Sequence, residues 1–497
     1  MNYLRLLALA ALAAACGAPA WAEESNFWPF RVAQTDASGD TVSWTAAGPL
    51  LFEQPAGDGA TLSGFRPVFA TWTGPGGRTF ETDVLYPLFV HRTTGDTYRW
   101  SVFELINKTG RRDPHEPTGA ARQVPETFDV WPFWFSRETG EPATSYHALF
   151  PLHGTIKDRF GYDRLDFTLF PLYGRAEKSG AVTTATPWPF VKTYTGTDHG
   201  FALWPLYGTR EKPGAYHRQF FLWPLGWDNT IEPGSDAPVG TPPRREVGFL
   251  PFFTRETDAG FVNASYLWPF FGYTDRTAPK RYHETRYLWP FLVQGRGDDK
   301  FVDRWGPFYT HSINHGIDKQ WILWPLYRQK ELTDRGLDQT QRQLFYFVYW
   351  SLEQRSATNP NAAPAEVTHL WPLFSAWDNG AGRRQFQFPS PLEVFFPANK
   401  HVHASWSPLF SLYRYDQRAP GDERYEFLWG LLTWHRSPDS REFHLGPLLS
   451  VKDRPEGDRI ALGHGLVGLR RASDRDHWRL FWFDFGSKAN KLSGSSR

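Results

Sequence analysis

The chain has 497 residues, with 54 Lys and Arg against 53 Asp and Glu, and one cysteine, Cys16. Balanced charge gives no basis for a nucleic-acid or anionic-membrane-surface partner, and a lone cysteine excludes an internal disulfide, so burial and hydrogen bonds must hold the fold. The unusual quantity is the aromatic content, 24 Trp, 20 Tyr and 41 Phe, a usage shared by outer-membrane barrels with interfacial girdles and by aromatic-rich repeats such as propellers.

The first 22 residues read as an export signal. A short positive start ends at Arg5, an apolar run covers Leu6 to Ala15, and Ala20-Trp21-Ala22 offers the small-x-small pattern for cleavage before Glu23. The alternative is lipoprotein processing, with Cys16 lipidated; against it, Ala13 stands where a large aliphatic residue is usual. After this segment no apolar run is long enough for a transmembrane helix.

From Pro29 onward an [LF]-[WF]-P-[LF]-[FY] motif recurs at a spacing of about 19 residues, giving about 24 units. Clear copies centre on prolines such as Pro29, Pro171, Pro205, Pro224 and Pro372. Looser copies include Pro391, Pro408 and Pro447, and proline-free copies lie near Phe103, Phe347, Gly430, Val467 and Phe481. The stretch Asp163–Glu177 places Leu165, Phe167, Leu169, Pro171 and Tyr173 at every second position, which predicts a strand.

Proline lacks the N–H that a ladder needs. One reading runs a strand of about 9–12 residues through each proline with a local bend. The other makes the proline a corner, so that each unit is a hairpin of two short strands in a propeller, prism or stacked sheet. The first reading is carried forward: an all-β, antiparallel up-and-down meander of about 24 strands closed into a large barrel, over a single domain from 23 to 485 with a tail from 486 to 497.

The longest polar stretches, Ile106–Glu126, Asp228–Val247 and Glu353–Val367, follow odd-numbered units, which predicts long loops on one rim and short turns on the other. Against a water-filled barrel, Leu323, Pro325 and Tyr327 would be apolar on one face and Ile322, Trp324 and Leu326 on the other.

Nothing stands out from the repeat as catalytic. His311 and His315 are expected in a turn between strands without Glu or Cys in metal-site spacing, His401 and His403 would share one strand face without a third ligand, and Asp158, Asp163 and Asp166 read as a charge ladder rather than a glycosidase pair. No phosphate loop or nucleophile motif is present. No catalytic, cofactor or metal residues are assigned. Trp204, Trp223, Trp268, Trp289, Trp324 and Trp371 are expected to form a structural aromatic belt at mid-strand.

The expectation is a non-catalytic protein of the Gram-negative outer membrane serving transport, assembly or surface display. The alternative is a periplasmic or lipid-anchored β-repeat protein that binds glycan, lipid or a protein partner through aromatic surfaces.

Overall fold

The computed structural model describes residues 23–36, 38–111, 125–455, 457–471, 475–481 and 483–488. Residues 1–22, read above as an export signal and including Cys16, the last nine residues and most of the first long loop lie outside the described residues. Two compact units are formed, one by Met1–Thr93 with Thr333–Arg497 and the other by Thr94–Leu332. We call them unit 1 and unit 2.

The described residues form 46 strands of four to eight residues. Within each unit every strand pairs antiparallel with its successor. The meander expected from the sequence is therefore present, but about 24 long strands is a miscount. Each repeat is a hairpin, and its proline lies in the turn.

The quoted motifs show why. Leu203 pairs with Tyr207, leaving Trp204, Pro205 and Leu206 as the turn, which the Leu206 N–H closes on the Leu203 carbonyl at 2.8 Å. In the next hairpin Phe221 pairs with Gly226, and Leu222 to Leu225 make the turn. There the Leu222 N–H donates to the Leu206 carbonyl at 2.7 Å and the Trp223 N–H to the Pro205 carbonyl at 2.6 Å. Each turn thus bonds to the turn before it. Proline fits because its missing donor falls where no ladder bond is needed, while its carbonyl accepts from the following turn. The Trp204–Pro205 and Trp223–Pro224 bonds are cis.

The two-sided apolarity around Trp324 has the same origin. Leu323 to Leu326 are turn residues, so they form an edge of the sheet and not two faces of a strand. The opposite edge carries the other connections. Ser179-Gly180 and His315-Gly316 are tight turns in which both residues have positive φ, 49° and 79° in the first and 49° and 75° in the second, the geometry of a two-residue hairpin loop in which glycine is favoured at the second position.

The three long connections leave from that opposite edge, after the strands Ile106–Arg111, Gly226–Ile231 and Tyr349–Ser356. The short inter-repeat connections leave from it too. The expected division into a long-loop rim and a short-turn rim does not apply, because one hairpin, not one strand, separates successive loops.

One repeat departs from the pattern. Between the strands Arg384–Phe388 and Tyr413–Ala419 the chain inserts helices α1 (Lys400–Ser405) and α2 (Ser407–Phe410). The looser motif copies at Pro391 and Pro408 fall in this insertion and are not hairpin turns. The Asn399 side chain caps α1 by accepting from the N–H groups of His401 at 3.0 Å and Val402 at 3.2 Å.

The insertion completes an apolar core in unit 1, where Ala404 joins Phe52, Leu62, Ala70 and Trp72. Arg66 is buried beside them, lies over the Phe52 ring and donates to the Ala404 carbonyl at 2.7 Å. A second core in unit 2 gathers Phe135, Tyr146, Ala148, Ile156 and Phe167. Phe52→Ala is expected to lower the unfolding free energy by about 3–5 kcal/mol. Trp223→Ala, on the exposed edge, should change it by about 1 kcal/mol or less. Urea denaturation of the two variants measures the contrast, and equal losses would contradict this division between core and edge.

Candidate functional site

The feature that sets this chain apart is the proline-turn edge. All six tryptophans expected in mid-strand, Trp204, Trp223, Trp268, Trp289, Trp324 and Trp371, lie in these turns, which corrects their placement. Trp204 is half-buried, whereas Trp223 and Trp324 are 52% and 57% exposed. Leu206, Phe270, Phe291 and Phe308 are exposed beside them in unit 2, and Phe30, Phe345, Leu373 and Leu448 along the same edge of the hairpins in unit 1.

The rings pack against one another along the edge. In unit 2 Phe170 lies 5.4 Å from Trp188, Phe190 lies 5.7 Å from Trp204, and Trp204 lies 5.7 Å from Trp223, between ring centroids. They form a ridge of touching rings rather than separate platforms. Exposed apolar rows of this kind mark interaction surfaces, since isolated exposed apolar residues are the ordinary case.

The titratable residues divide into satisfied clusters. In unit 1 Glu81, Asp83 and His401 bring one ligand atom each within 4.8 Å of one another. This set was not legible in the sequence, because His401 is 318 residues from Asp83. Nor do His401 and His403 share a strand face as expected: both lie on helix α1, His401 buried on Asp83 at 2.6 Å and His403 exposed on the Phe396 carbonyl at 3.0 Å. The cluster is already supplied with cations. Lys400 and Arg92 both pair with Glu81 and, against the opposing effect of burial, hold its carboxyl below the usual range. A divalent ion would have to displace them, so the arrangement reads as an ion-pair cluster.

A second network joins the first strand, Glu23–Phe27, to the strands Asp422–Phe427, Leu432–Arg436, Arg441–Leu445 and Leu449–Asp453. Arg424 donates to Glu24 at 3.0 Å, the Glu24 N–H donates to Glu442 at 3.1 Å, and Lys452 reaches the Glu24 carbonyl at 2.8 Å. Burial works against ionisation of Glu442, but His444, Lys452 and Arg454 pull its carboxyl down to about 2.

His369 forms a third buried group. Its Nδ1 lies 2.6 Å from Ser375 Oγ, which lies 2.5 Å from Ser390 Oγ, which donates to Glu393 at 2.5 Å. The residue types resemble a hydrolytic set, yet His369, Ser375, Ser390 and Glu393 are all at most 2% exposed. No substrate could reach them, and the chain is a structural relay. Burial pulls the His369 imidazole down to about 4, so it is neutral at pH 7.

The remaining candidates are likewise occupied. His311 lies on a strand and bonds Asp318 at 3.0 Å, while His315 sits in the following turn. Asp166 accepts from Arg164 at 2.9 Å, and Asp163 accepts from the Ser179 N–H at 2.6 Å. Three residues apart on one strand, these two carboxylates point to opposite faces. Asp158, next to last on its strand, has a positive φ of 49°.

Compared with known proteins, the chain matches no family model and no curated sequence at a significant level.

The buried histidine and glutamate set a pH dependence. An unfolded His369 titrates at 6.5 and the folded one near 4, so the unfolded state binds the extra proton between those values. The stability that neutral His369 confers is present above pH 6.5 and lost as pH falls towards 4. For Glu442, ordinarily 4.5 and here about 2, the contribution is present above 4.5 and lost towards 2. Each loss is on the order of 3 kcal/mol. Thermal melts from pH 8 to 3 should fall in two stages, and His369→Gln should flatten the first while leaving the second. An unchanged slope between pH 6.5 and 4 in that variant would contradict the assignment.

Proposed function

We propose that this chain is a non-catalytic envelope protein that attaches to a lipid layer by its proline-turn edge. The observation that carries the reading is the concentration of exposed, mutually packed Trp, Phe and Leu side chains in the proline turns at one edge of the hairpins, although others such as Phe160, Trp434 and Trp478 are exposed elsewhere. Tryptophan is favoured at membrane interfaces because its ring is apolar while its N–H remains polar.

Strand length weighs against a barrel that crosses the bilayer. A spanning strand needs about 9–11 residues, and the described strands have four to eight. Six residues rise only about 20 Å. A sheet standing on the layer with one edge dipped into it needs no more than that. Of the two sequence expectations, this supports the lipid-binding β-repeat protein, and the export signal expected from the sequence is consistent with the outer membrane or its periplasmic face. Closure of the sheet into a ring would remove its free edge strands, and is compatible with this attachment. Glycan stacking is the weaker alternative, since rings that pack on one another leave less face free for a sugar.

The test uses the purified protein and vesicles of phosphatidylcholine and phosphatidylglycerol. Tryptophan emission should shift to the blue, and lipids brominated on their acyl chains should quench it. Burial of each exposed tryptophan is worth about 1.5–3 kcal/mol, so combining Trp223→Ser, Trp268→Ser and Trp324→Ser should reduce vesicle partitioning by at least about a hundredfold. Unquenched emission together with unchanged partitioning would reject the reading.

A further inference from the structure

The sheet of unit 2 carries a groove on one face. Strand register sets side by side a row of residues running from Phe135 through Gly154, Phe167, Gly174 and Ala185 to Lys192. Small residues are mixed with rings in this row, and at Gly154 the strands approach closely. A Cβ on Gly154 would stand 2.5 Å from that of Ala148 and 3.2 Å from the Phe167 ring. Two residues further along the strands, a second row on the same face contains Ile156, Leu165, Ala176, Thr183 and Tyr194.

Between these rows and the turn residues Phe150, Phe170 and Trp188 lies a cavity of about 650 Å³. That volume is within the range of about 300–1,000 Å³ common for small-molecule sites. A neighbouring hollow of about 470 Å³ shares Tyr194 and Arg210 with it.

The charges on this groove are unequal. Arg210 is neutralised by Asp198, which also accepts from the Tyr216 hydroxyl at 2.5 Å. Lys192 is half-buried, and among the described residues no carboxylate pairs with it. Lys178 also lacks a carboxylate partner and sits 5.9 Å from the Tyr162 ring. Asp166 and Arg175 also line the hollow, and the Asp166 carboxylate is taken up by Arg164 at 2.9 Å and Arg175 at 3.4 Å. A largely apolar hollow that also carries two ammonium groups without a carboxylate partner is complementary to an anion with a hydrocarbon tail. Burial pulls the Lys192 ammonium below its ordinary range, so an anionic partner would restore what desolvation takes away.

We propose that this groove binds the single acyl chain of a long-chain fatty carboxylate, with the chain along Phe150, Phe167 and Phe170 and the carboxylate on Lys192. The hydrophobic lining selects a hydrocarbon, the unpaired ammonium selects an anion over a neutral alcohol, and the volume holds one chain. The inference stands on the groove alone and does not require the proline-turn edge to enter a lipid layer.

The experiment titrates the purified full chain with cis-parinaric acid, following its fluorescence and energy transfer from nearby tryptophans such as Trp188. Saturable binding of one molecule per chain is expected, with displacement by palmitate and not by hexadecanol. Lys192→Met should weaken binding by about tenfold or more, the loss of one charge-assisted contact, whereas Lys192→Arg should retain it. Ala176→Trp should fill the groove and abolish binding, with vesicle attachment unchanged. Non-saturable uptake, equal displacement by hexadecanol, or unchanged affinity in both Lys192→Met and Ala176→Trp would overturn the proposal. Should Ala176→Trp fail to fold, the Lys192→Met and Lys192→Arg pair decides alone. Loss of vesicle attachment in the edge variants with parinarate binding intact would reject neither site's assignment to its own ligand.

Discussion

The backbone hydrogen bond from one turn to a carbonyl of the turn before it, the proline's own in turns such as those at Pro171, Pro205 and Pro307, is the interaction on which this architecture depends. In the hairpin at Leu222–Leu225 the Leu222, Trp223 and Leu225 amides donate to Leu206, Pro205 and Leu222, at 2.7, 2.6 and 2.7 Å, and Pro224 has no amide to satisfy. The ladder therefore continues through the turn instead of stopping at the last strand residue. An ordinary hairpin tip leaves amides to water, which suits an edge in solvent. An edge with its donors paired internally and its side chains apolar can leave water at little cost, because unsatisfied backbone groups are what make lipid burial expensive.

The other edge follows different rules. Its turns place glycine where the backbone needs positive φ and surround it with charge, as in Ser179-Gly180 and Ala259-Gly260. Exposed pairs such as Arg245–Asp228, at 2.7 Å, sit on the strands nearby. Such pairs contribute little stability, typically under about 1 kcal/mol. Their effect is to keep that edge in water. A single hairpin thus has a wet end and a dry end, and repeating it in a meander puts the dry ends of each unit along one edge of its sheet. The amphipathic character belongs to the edges of the sheet, not to its faces, the reverse of an ordinary half-buried strand.

This reversal explains what the sequence allowed to be read. The strand type, the antiparallel meander and the period of the repeat were legible from turn signals and alternation. The position of the proline was not. In Asp163–Glu177 the alternation seemed to run on from Phe167 to Tyr173, but Tyr173 pairs with Thr168, which puts it on the face opposite Phe167. A four-residue turn preserved the spacing while changing its meaning. The helix at Lys400 was hidden differently. Prolines at 391 and 408 imitated the repeat, and the Asn399 cap that starts the helix is a short signal inside an aromatic-rich stretch. The clusters around Glu81, Glu24 and His369 could not have been found by spacing, since the first two join groups hundreds of residues apart.

Because the motif fixes only the edge, the faces are free to differ. In unit 1 the face side chains meet as ions, with Glu24, Arg424 and Glu442 buried and mutually bonded. Removing one member of such a set leaves a buried charge and costs about 3–5 kcal/mol, while replacing the whole set with apolar residues need not cost anything. In unit 2 the row from Gly154 to Ala185 sets Gly174 and Ala185 beside Phe167, and a hollow lies over it. A sheet selected for stability alone would place larger side chains there, since unfilled volume forfeits dispersion contacts and destabilises. Beside an apolar core in each unit, the same repeat therefore carries a buried ionic network in one and an apolar groove in the other. The groove persists beside half-buried, unpaired Lys192, where two costs of folding coincide, and a ligand that fills the volume and meets the charge removes both at once.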